Sequence, residues 1–170
     1  MSKDLYPAIF AINKYIIMAR FLATNGIAYI TEGILMSAKE TLTLVLSELK
    51  LTDPFFKLLK EANDRKVEVK ILYGWSALNE NQKDALLRLA QVELYYLENI
   101  QSRCCFNESL MLLSSMNMSD FVEKGNKHMG ILLDRKEDES LYKEVVQETS
   151  TMFYAAKKET SIPLAASAVL

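Results

Sequence analysis

The chain has 170 residues, of which half are hydrophobic and a quarter are charged. This composition predicts one globular domain that is large enough to bury a core without disulfides or metal ions. The formal net charge of −2 excludes a strong overall attraction for polyanions, so any nucleic-acid contact has to come from a local patch.

Cysteine and histidine usage argues against metal chemistry. The only two cysteines are adjacent, Cys104 and Cys105, and the only histidine is His128. Neighbouring residues of a strand point to opposite faces of a sheet, so we expect no disulfide between the cysteines. Three such residues do not supply a usual zinc site. We therefore expect no metal and no cofactor, and a reduced, cytoplasmic setting.

The N-terminal part of the chain is rich in apolar residues. Lys14 and Arg20 interrupt it and Gly26 breaks it, so it has no run of about 18 to 20 apolar residues and no transmembrane segment is predicted. We interpret residues 5–30 as packed helix, with a membrane-surface anchor as the alternative. Residues 1–25 are assigned to an N-terminal helical extension.

The next elements are a helix, a strand and a second helix. Four apolar residues recur at helical spacing and predict a helix over residues 26–40: Ile27, Ile30, Ile34 and Ala38. Residues 42–46 are apolar on both faces, as in the central strand of a covered sheet. Thr52 and Pro54 then supply an N-cap and a first-turn proline for a helix over residues 53–63.

The remaining elements alternate in the same way. A strand over residues 67–73 ends at Gly74, and Asn79 or Asn81 caps the helix that follows. Four strands and one helix complete the chain: strands at 92–96, 102–106, 110–114 and 129–133, and a helix at 139–156. Strands that alternate with helices, with a hairpin turn at 107–109, predict an α/β fold in which a mixed β-sheet is sandwiched between helices. The main domain is predicted to span residues 26–157, and residues 158–170 form an apolar C-terminal tail.

Residues 99–117 are the most informative segment. It contains Gln101, Arg103 and Glu108, followed after a short strand by Ser115 and Asn117. This order resembles the signature of the phospholipase D superfamily, which is His-x-Lys, four residues, Asp, and then a Gly-Ser-x-Asn turn. In that comparison Gln101 replaces the histidine, Arg103 the lysine and Glu108 the aspartate, whereas Ser115 and Asn117 match.

The resemblance extends along most of the chain from about residue 18. Residues 65–74 are similar to the second strand of small, single-motif bacterial phospholipase D-like proteins. Residues 126–131 are similar to their later Asn-x-Glu-x-Gly-Ile strand, so that Asn126 matches and His128 takes the place of the acidic residue. The resemblance implies a phospholipase D-like fold, metal-free phosphodiester chemistry and homodimers that bring two signatures together.

Gln101 decides the expected activity. The resemblance places the nucleophilic histidine here, but the nitrogen lone pair of an amide is delocalised and does not attack phosphorus. Gln101 either fills the space of the lost histidine, which we favour, or hydrogen-bonds a phosphate. Arg103 can hold a phosphate through two parallel hydrogen bonds, or it can pair with Glu108 or a partner chain.

The other positions also have two interpretations each. Ser115, Asn117 and Asn126 belong to the phosphate site in the family pattern, but serine and asparagine also stabilise turns. Glu108 supports the site or, as we favour, is a solvated turn carboxylate. His128 is either a structural histidine, which we favour, or a substitute nucleophile or general acid.

Together these residues predict a catalytically degenerate phospholipase D-like domain. It would act as a dimeric binding or regulatory module that recognises phosphate, and we lean against enzymatic activity. The alternative is an active, metal-independent phosphodiesterase or nuclease that uses His128. A third hypothesis is a heterodimer with an intact homologue. Nucleic acid or another phosphodiester is the ligand class that the resemblance implies.

Overall fold

The computed structural model describes residues 19–76, 78–117 and 126–160. Within these ranges the chain forms one eight-stranded sheet and four helices. The strands are β1 Arg20–Ala23, β2 Thr41–Leu49, β3 Glu68–Ser76, β4 Val92–Tyr96, β5 Cys104–Asn107, β6 Leu110–Ser114, β7 Met129–Asp134 and β8 Lys157–Lys158. The helices are α1 Thr24–Ser37, α2 Asp53–Asp64, α3 Glu80–Leu87 and α4 Glu139–Ala155.

The sheet is mixed, with the strand order β1-β7-β6-β5-β2-β3-β4-β8. β2, β3 and β4 pair in parallel, because α2 and α3 carry the chain back to the same end of the sheet before each new strand. The other four pairs, β2–β5, β5–β6, β6–β7 and β7–β1, are antiparallel. A short turn joins β5 to β6, as is usual for an antiparallel hairpin. The predicted α/β class and the mixed sheet between helices are confirmed.

Two apolar layers cover the sheet. The larger layer contains Ile34 of α1, Phe55 of α2 and Leu86 of α3, packed on the sheet through residues such as Leu44. The opposite layer joins α4 to Val45, Leu72 and Cys104. Cys105 belongs to the first layer and Cys104 to the second, so the two thiols lie on opposite faces, as their spacing predicts.

Both predicted helix starts are confirmed. Thr52 Oγ1 accepts a hydrogen bond from the Phe55 backbone N–H at 3.4 Å, with a proline in the first turn of α2. At α3 the cap is Asn79: its Oδ1 accepts from Gln82 N at 2.9 Å, and Gln82 Oε1 accepts from Asn79 N at 3.1 Å. These are local interactions, which is why the sequence predicts them well.

Two local predictions are wrong. Arg20–Ala23 forms edge strand β1, which pairs with β7, where the apolar composition predicted helix. β3 also continues through Gly74 to Ser76. A Cβ atom at Gly74 would lie 3.0 Å from Ile100 O and 3.2 Å from Ser47 O, so this glycine permits a close backbone approach inside the strand rather than ending it.

The rest of the predicted extension and tail, residues 1–18 and 161–170, lies outside the described residues, and the proposed domain boundaries stay predictions. Among the described residues, no helix combines the length and the apolar character needed to cross a bilayer.

Asn107 is the polar residue that fixes the β5–β6 hairpin, and it is only 2% exposed. Its Nδ2 donates to Ile34 O at 3.0 Å and to Ser37 Oγ at 3.1 Å. Its Oδ1 accepts from the backbone N–H groups of Ser109 and Leu110 at 2.8 and 2.9 Å. One buried amide therefore links the hairpin to the end of α1.

Replacing this amide should destabilise the fold. We expect Asn107→Ala to lower the free energy of unfolding by about 2–4 kcal/mol, because buried partners lose their hydrogen bonds. Urea denaturation measures the change. Ser109→Ala, at an exposed position of the same turn, is the matched control and should stay within about 0.5 kcal/mol of wild type. An effect of Asn107→Ala no larger than that of the control would contradict this role.

Candidate phosphate site

Three of the predicted site residues converge at one edge of the sheet. β2 ends there at Leu49, and because β5, β6 and β7 alternate in direction, the start of β5, the end of β6 and the start of β7 all reach the same edge. The carboxyl ends of parallel strands are a common location for ligand sites in α/β folds. Topology therefore brings Arg103, Ser115 and His128 together.

Arg103 is half-buried and held in place by two hydrogen bonds. Its Nε donates to Ser47 Oγ at 2.8 Å, and its Nη1 donates to Ser115 O at 3.1 Å. No Asp or Glu oxygen of the described residues lies within ion-pair distance of this guanidinium. The side chain is thus oriented by neutral groups, and no carboxylate of the described residues neutralises its charge.

Ser115 joins Arg103 to His128. Its carbonyl accepts from Arg103, and its Oγ lies 3.4 Å from His128 Nδ1. The Ser115 N–H donates to Met129 O at 2.9 Å, and Met129 N–H donates to Ser115 Oγ at 3.1 Å. The Thr24 hydroxyl accepts from His128 N–H at 2.8 Å. Ser115 therefore links the segment that follows β6 to the start of β7 and lies next to Arg103 and His128.

Three further predicted site residues lie near these along the chain. Asn117 Nδ2 donates to Glu48 O at 2.6 Å, which ties the segment after β6 to the end of β2. Gln101 and Asn126 are exposed, two residues before Arg103 and two residues before His128 respectively. The described ranges contain no group of three His, Cys, Asp or Glu side chains that could hold a metal ion.

Glu108 lies at the opposite end of β5 and does not pair with Arg103. Its Oε1 accepts from Lys39 N at 3.0 Å, and its Oε2 accepts from Glu40 N and Thr41 N at 3.3 and 3.4 Å. Burial raises the pKa of this carboxyl, but the backbone N–H groups around it outweigh burial and lower the pKa overall. Glu108 therefore fastens the hairpin to the start of β2.

No protein-family model matches the sequence, and no curated protein sequence matches it. Solved structures do match. Nuc from Salmonella typhimurium, a phospholipase D family member, superposes with a TM-score of 0.66 at 13% identity, over 85% of this chain and 100% of that one. NucT from Helicobacter pylori gives 0.68 at 12% identity, over 82% and 97% of the two chains. Phosphatidylserine synthase from Haemophilus influenzae gives 0.64 at 10% identity, over 83% of this chain and 39% of that chain.

This chain has the phospholipase D-like fold. The resemblance seen in residues 99–131 is thereby confirmed for the fold. At sequence identities of 10–13%, the structural similarity shows a shared fold. It does not show a shared activity, because one fold hosts many functions. Any functional statement has to come from the side chains that this chain places at the carboxyl end of β2.

Two side chains of the candidate site were missed in the sequence. Ser47 positions Arg103, and Thr24 positions the backbone of His128. Ser47 is the polar residue that directly follows the strand predicted over residues 42–46, and this is a signal that could have identified it. Thr24 gave no such signal, because its role depends on the antiparallel pairing of β1 with β7, which the sequence did not predict.

The lowered pKa of Glu108 predicts a pH-dependent contribution to stability. The contribution is present above the ordinary glutamate pKa and is lost as the pH falls through the lower, folded-state pKa. The stability difference between wild type and Glu108→Gln should therefore shrink as the pH falls from about 5 to about 3. Urea denaturation at several pH values measures it. Glu137→Gln, at an exposed position before α4, controls for the loss of a carboxylate elsewhere, and a constant difference for Glu108→Gln would contradict the assignment.

Proposed function

We propose that this chain is a catalytically degenerate phospholipase D-like domain that binds a phosphate group and acts as a dimeric binding or regulatory module. The observation that supports it most is the oriented Arg103 guanidinium with no ion-pair partner among the described residues. We further propose a cytoplasmic setting, which the free thiols of Cys104 and Cys105 support.

Phosphate binding follows from the donors that Arg103 keeps. A guanidinium carries five N–H groups, and hydrogen bonds to Ser47 and Ser115 use two of them. The remaining donors suit a bidentate contact with phosphate oxygens, which is stronger than a contact with a neutral group. Ser47 and Ser115 hold the side chain before the ligand arrives, so less conformational entropy is lost on binding.

The absence of catalysis follows from Gln101. Its amide nitrogen has no available lone pair, so it forms no covalent phosphoryl intermediate. It remains an exposed, neutral donor and acceptor two residues before Arg103. The domain therefore retains the means to bind a phosphodiester and lacks the group that would break it.

The second candidate function is a phosphodiesterase that uses His128. The observation that favours it is the distance of 3.4 Å between His128 Nδ1 and the hydroxyl oxygen of Ser115, whose carbonyl oxygen accepts from Arg103. An imidazole beside a hydroxyl and an arginine has the groups of a general base and an anion stabiliser. We rank it second because a distance of 3.4 Å is long for a hydrogen bond that activates a hydroxyl.

Restoring the reactive residues tests the proposal. We expect wild type to hydrolyse no generic aryl phosphodiester in excess chelator, whereas Gln101→His combined with Arg103→Lys and His128→Glu should produce measurable turnover, because a nucleophile returns to the scaffold. The matched control is Arg103→Lys with His128→Glu alone, which lacks the nucleophile. Wild-type turnover that His128→Ala abolishes would refute degeneracy and establish the second candidate.

The dimeric part of the proposal is supported by an apolar surface beside the site. Phe21, Met129 and Ile131 are 64%, 66% and 37% exposed. Phe21 pairs with Ile131, and Met129 lies two residues along the same strand, so the three side chains share one face of the β1–β7 edge. Met129 N–H bonds to Ser115 Oγ, so this face is continuous with the phosphate site. A two-fold axis through it would bring two sites together.

Charges on this face should prevent self-association. We expect wild type to sediment as a dimer at micromolar concentration and Phe21→Asp combined with Met129→Asp to sediment as a monomer, because desolvating two unpaired carboxylates opposes burial. The control is Tyr154→Asp, which places a charge at a 95% exposed position of α4 and should leave the dimer intact. A wild-type chain that stays monomeric would refute the homodimer and leave the heterodimer hypothesis.

A further inference from the structure

The face of the sheet that packs on α4 carries polar residues in its central strands. Val45 of β2 and Leu72 of β3 belong to the apolar layer under α4. Two residues earlier in each strand, on the same face, lie Thr43 and Lys70, which pair with each other in the β2–β3 ladder. Lys70 is exposed, although β3 has a neighbouring strand on both sides. Central parallel strands are usually apolar on both faces, so a lysine here contributes nothing to the core.

A cavity of about 410 Å³ lies over these residues, between the sheet and α4. Its sheet side includes Thr43, Lys70 and Phe106, and Phe106 pairs with Thr43 from the other side of β2. Its helix side includes Thr149 and Phe153 of α4. Small-molecule sites range from about 300 to 1,000 Å³. This cavity is near the lower end of that range, which suits a ligand of one or two rings.

Lys70 is the one charged residue among the described residues that line the cavity. No Asp or Glu oxygen of the described residues lies within ion-pair distance of its Nζ. Its partner in the β3–β4 ladder, Glu93, accepts from Tyr95 Oη at 2.7 Å and also from Lys158 Nζ. Because Glu93 is engaged by these two donors, the positive charge of Lys70 gives the cavity a preference for an anion.

Four of the described residues that line the cavity are aromatic, and three of their rings are held by other rings. Tyr95 and Phe153 contact edge to face, with ring centroids 5.1 Å apart. Phe106 packs on Tyr142 in the same way, at 6.2 Å. The fourth, Tyr154, is 95% exposed and lies at the mouth of the cavity. Rings in fixed orientations offer a flat ligand the stacked and edge-to-face contacts that aromatic groups prefer.

We propose that this cavity binds a small aromatic carboxylate, with the carboxylate at Lys70 Nζ and the Thr43 hydroxyl. The ring of the ligand packs against Phe106 and Phe153. One ammonium group balances one negative charge, so a carboxylate suits the cavity better than a phosphate dianion. This site is separate from the candidate phosphate site, because Thr43 precedes Ser47 by four residues, which is about 13 Å along β2.

An NMR titration of the ¹⁵N-labelled full chain with 2-naphthoate tests the proposal. We expect saturable shifts of the backbone amide signals of Thr43, Lys70 and Ser150, which all line the cavity. 2-Naphthamide has the same rings without the charge and should bind about 10-fold more weakly, because it loses a charge-assisted hydrogen bond. Acetate has the charge without the rings and should also bind more weakly, because it buries no aromatic surface.

Variants separate the contribution of the charge from that of the rings. Lys70→Met should raise the Kd of 2-naphthoate about 10-fold and leave the Kd of 2-naphthamide unchanged. Thr43→Val keeps the shape of the side chain and should raise the Kd of 2-naphthoate by a smaller factor, about 2- to 10-fold. Lys57→Met is the matched control: it removes an exposed lysine of α2, in the opposite layer, and should change neither Kd.

Three results would overturn the proposal. The first is a Kd of 2-naphthoate that is the same for wild type and Lys70→Met, or the same as that of 2-naphthamide. The second is the absence of saturable shifts at millimolar 2-naphthoate. The third is a set of shifts centred on Ser47 and Ser115 and abolished by Arg103→Gln, because this would place the carboxylate at the candidate phosphate site.

Discussion

The pairing of β2 with two different neighbours is the constraint on which the rest of this structure depends. On one side β2 pairs in parallel with β3, and on the other it pairs antiparallel with β5. The parallel side requires helical crossovers, which cover one face of the sheet with an apolar layer. The antiparallel side sends the chain back and forth, so that the segments before β5, after β6 and before β7 all meet the carboxyl end of β2.

This arrangement explains what holds the geometry of the candidate site. Arg103, Ser115 and His128 are positioned mainly by backbone groups and by the hydroxyls of Ser47 and Thr24. The positions are set by strand register, which does not depend on a histidine nucleophile. A guanidinium held by neutral partners keeps its positive charge, which is the physical basis of the proposed phosphate contact.

The polar groups at the two ends of β5 have different tasks. Arg103, at the β2 carboxyl end, has N–H donors that no group of the described residues accepts. At the other end, Asn107 donates to the backbone of α1, and the Glu108 carboxylate accepts from backbone N–H groups at the start of β2. Buried polar groups are normally fully hydrogen-bonded, and the hairpin end follows that rule. The contrast supports a binding role for one end and a stabilising role for the other.

The sequence by itself determined the fold class, the two capped helices, the β5–β6 hairpin and the opposite faces of Cys104 and Cys105. These features depend on local periodicity, on caps and on the alternation of a strand, which are all encoded within a few residues. The resemblance in residues 99–131 also identified Gln101, Arg103, Ser115, Asn117 and His128 as the positions to inspect.

Only the tertiary structure decided which of these positions meet and what holds them. It made residues 20–23 an edge strand, because β7 offers hydrogen-bonding partners that are more than a hundred residues away in sequence. It separated Glu108 from Arg103 by the length of β5, and it brought Ser47 to Arg103. Strand register between distant segments carries no local sequence signal, so the contacts that define this site follow from the folded sheet alone.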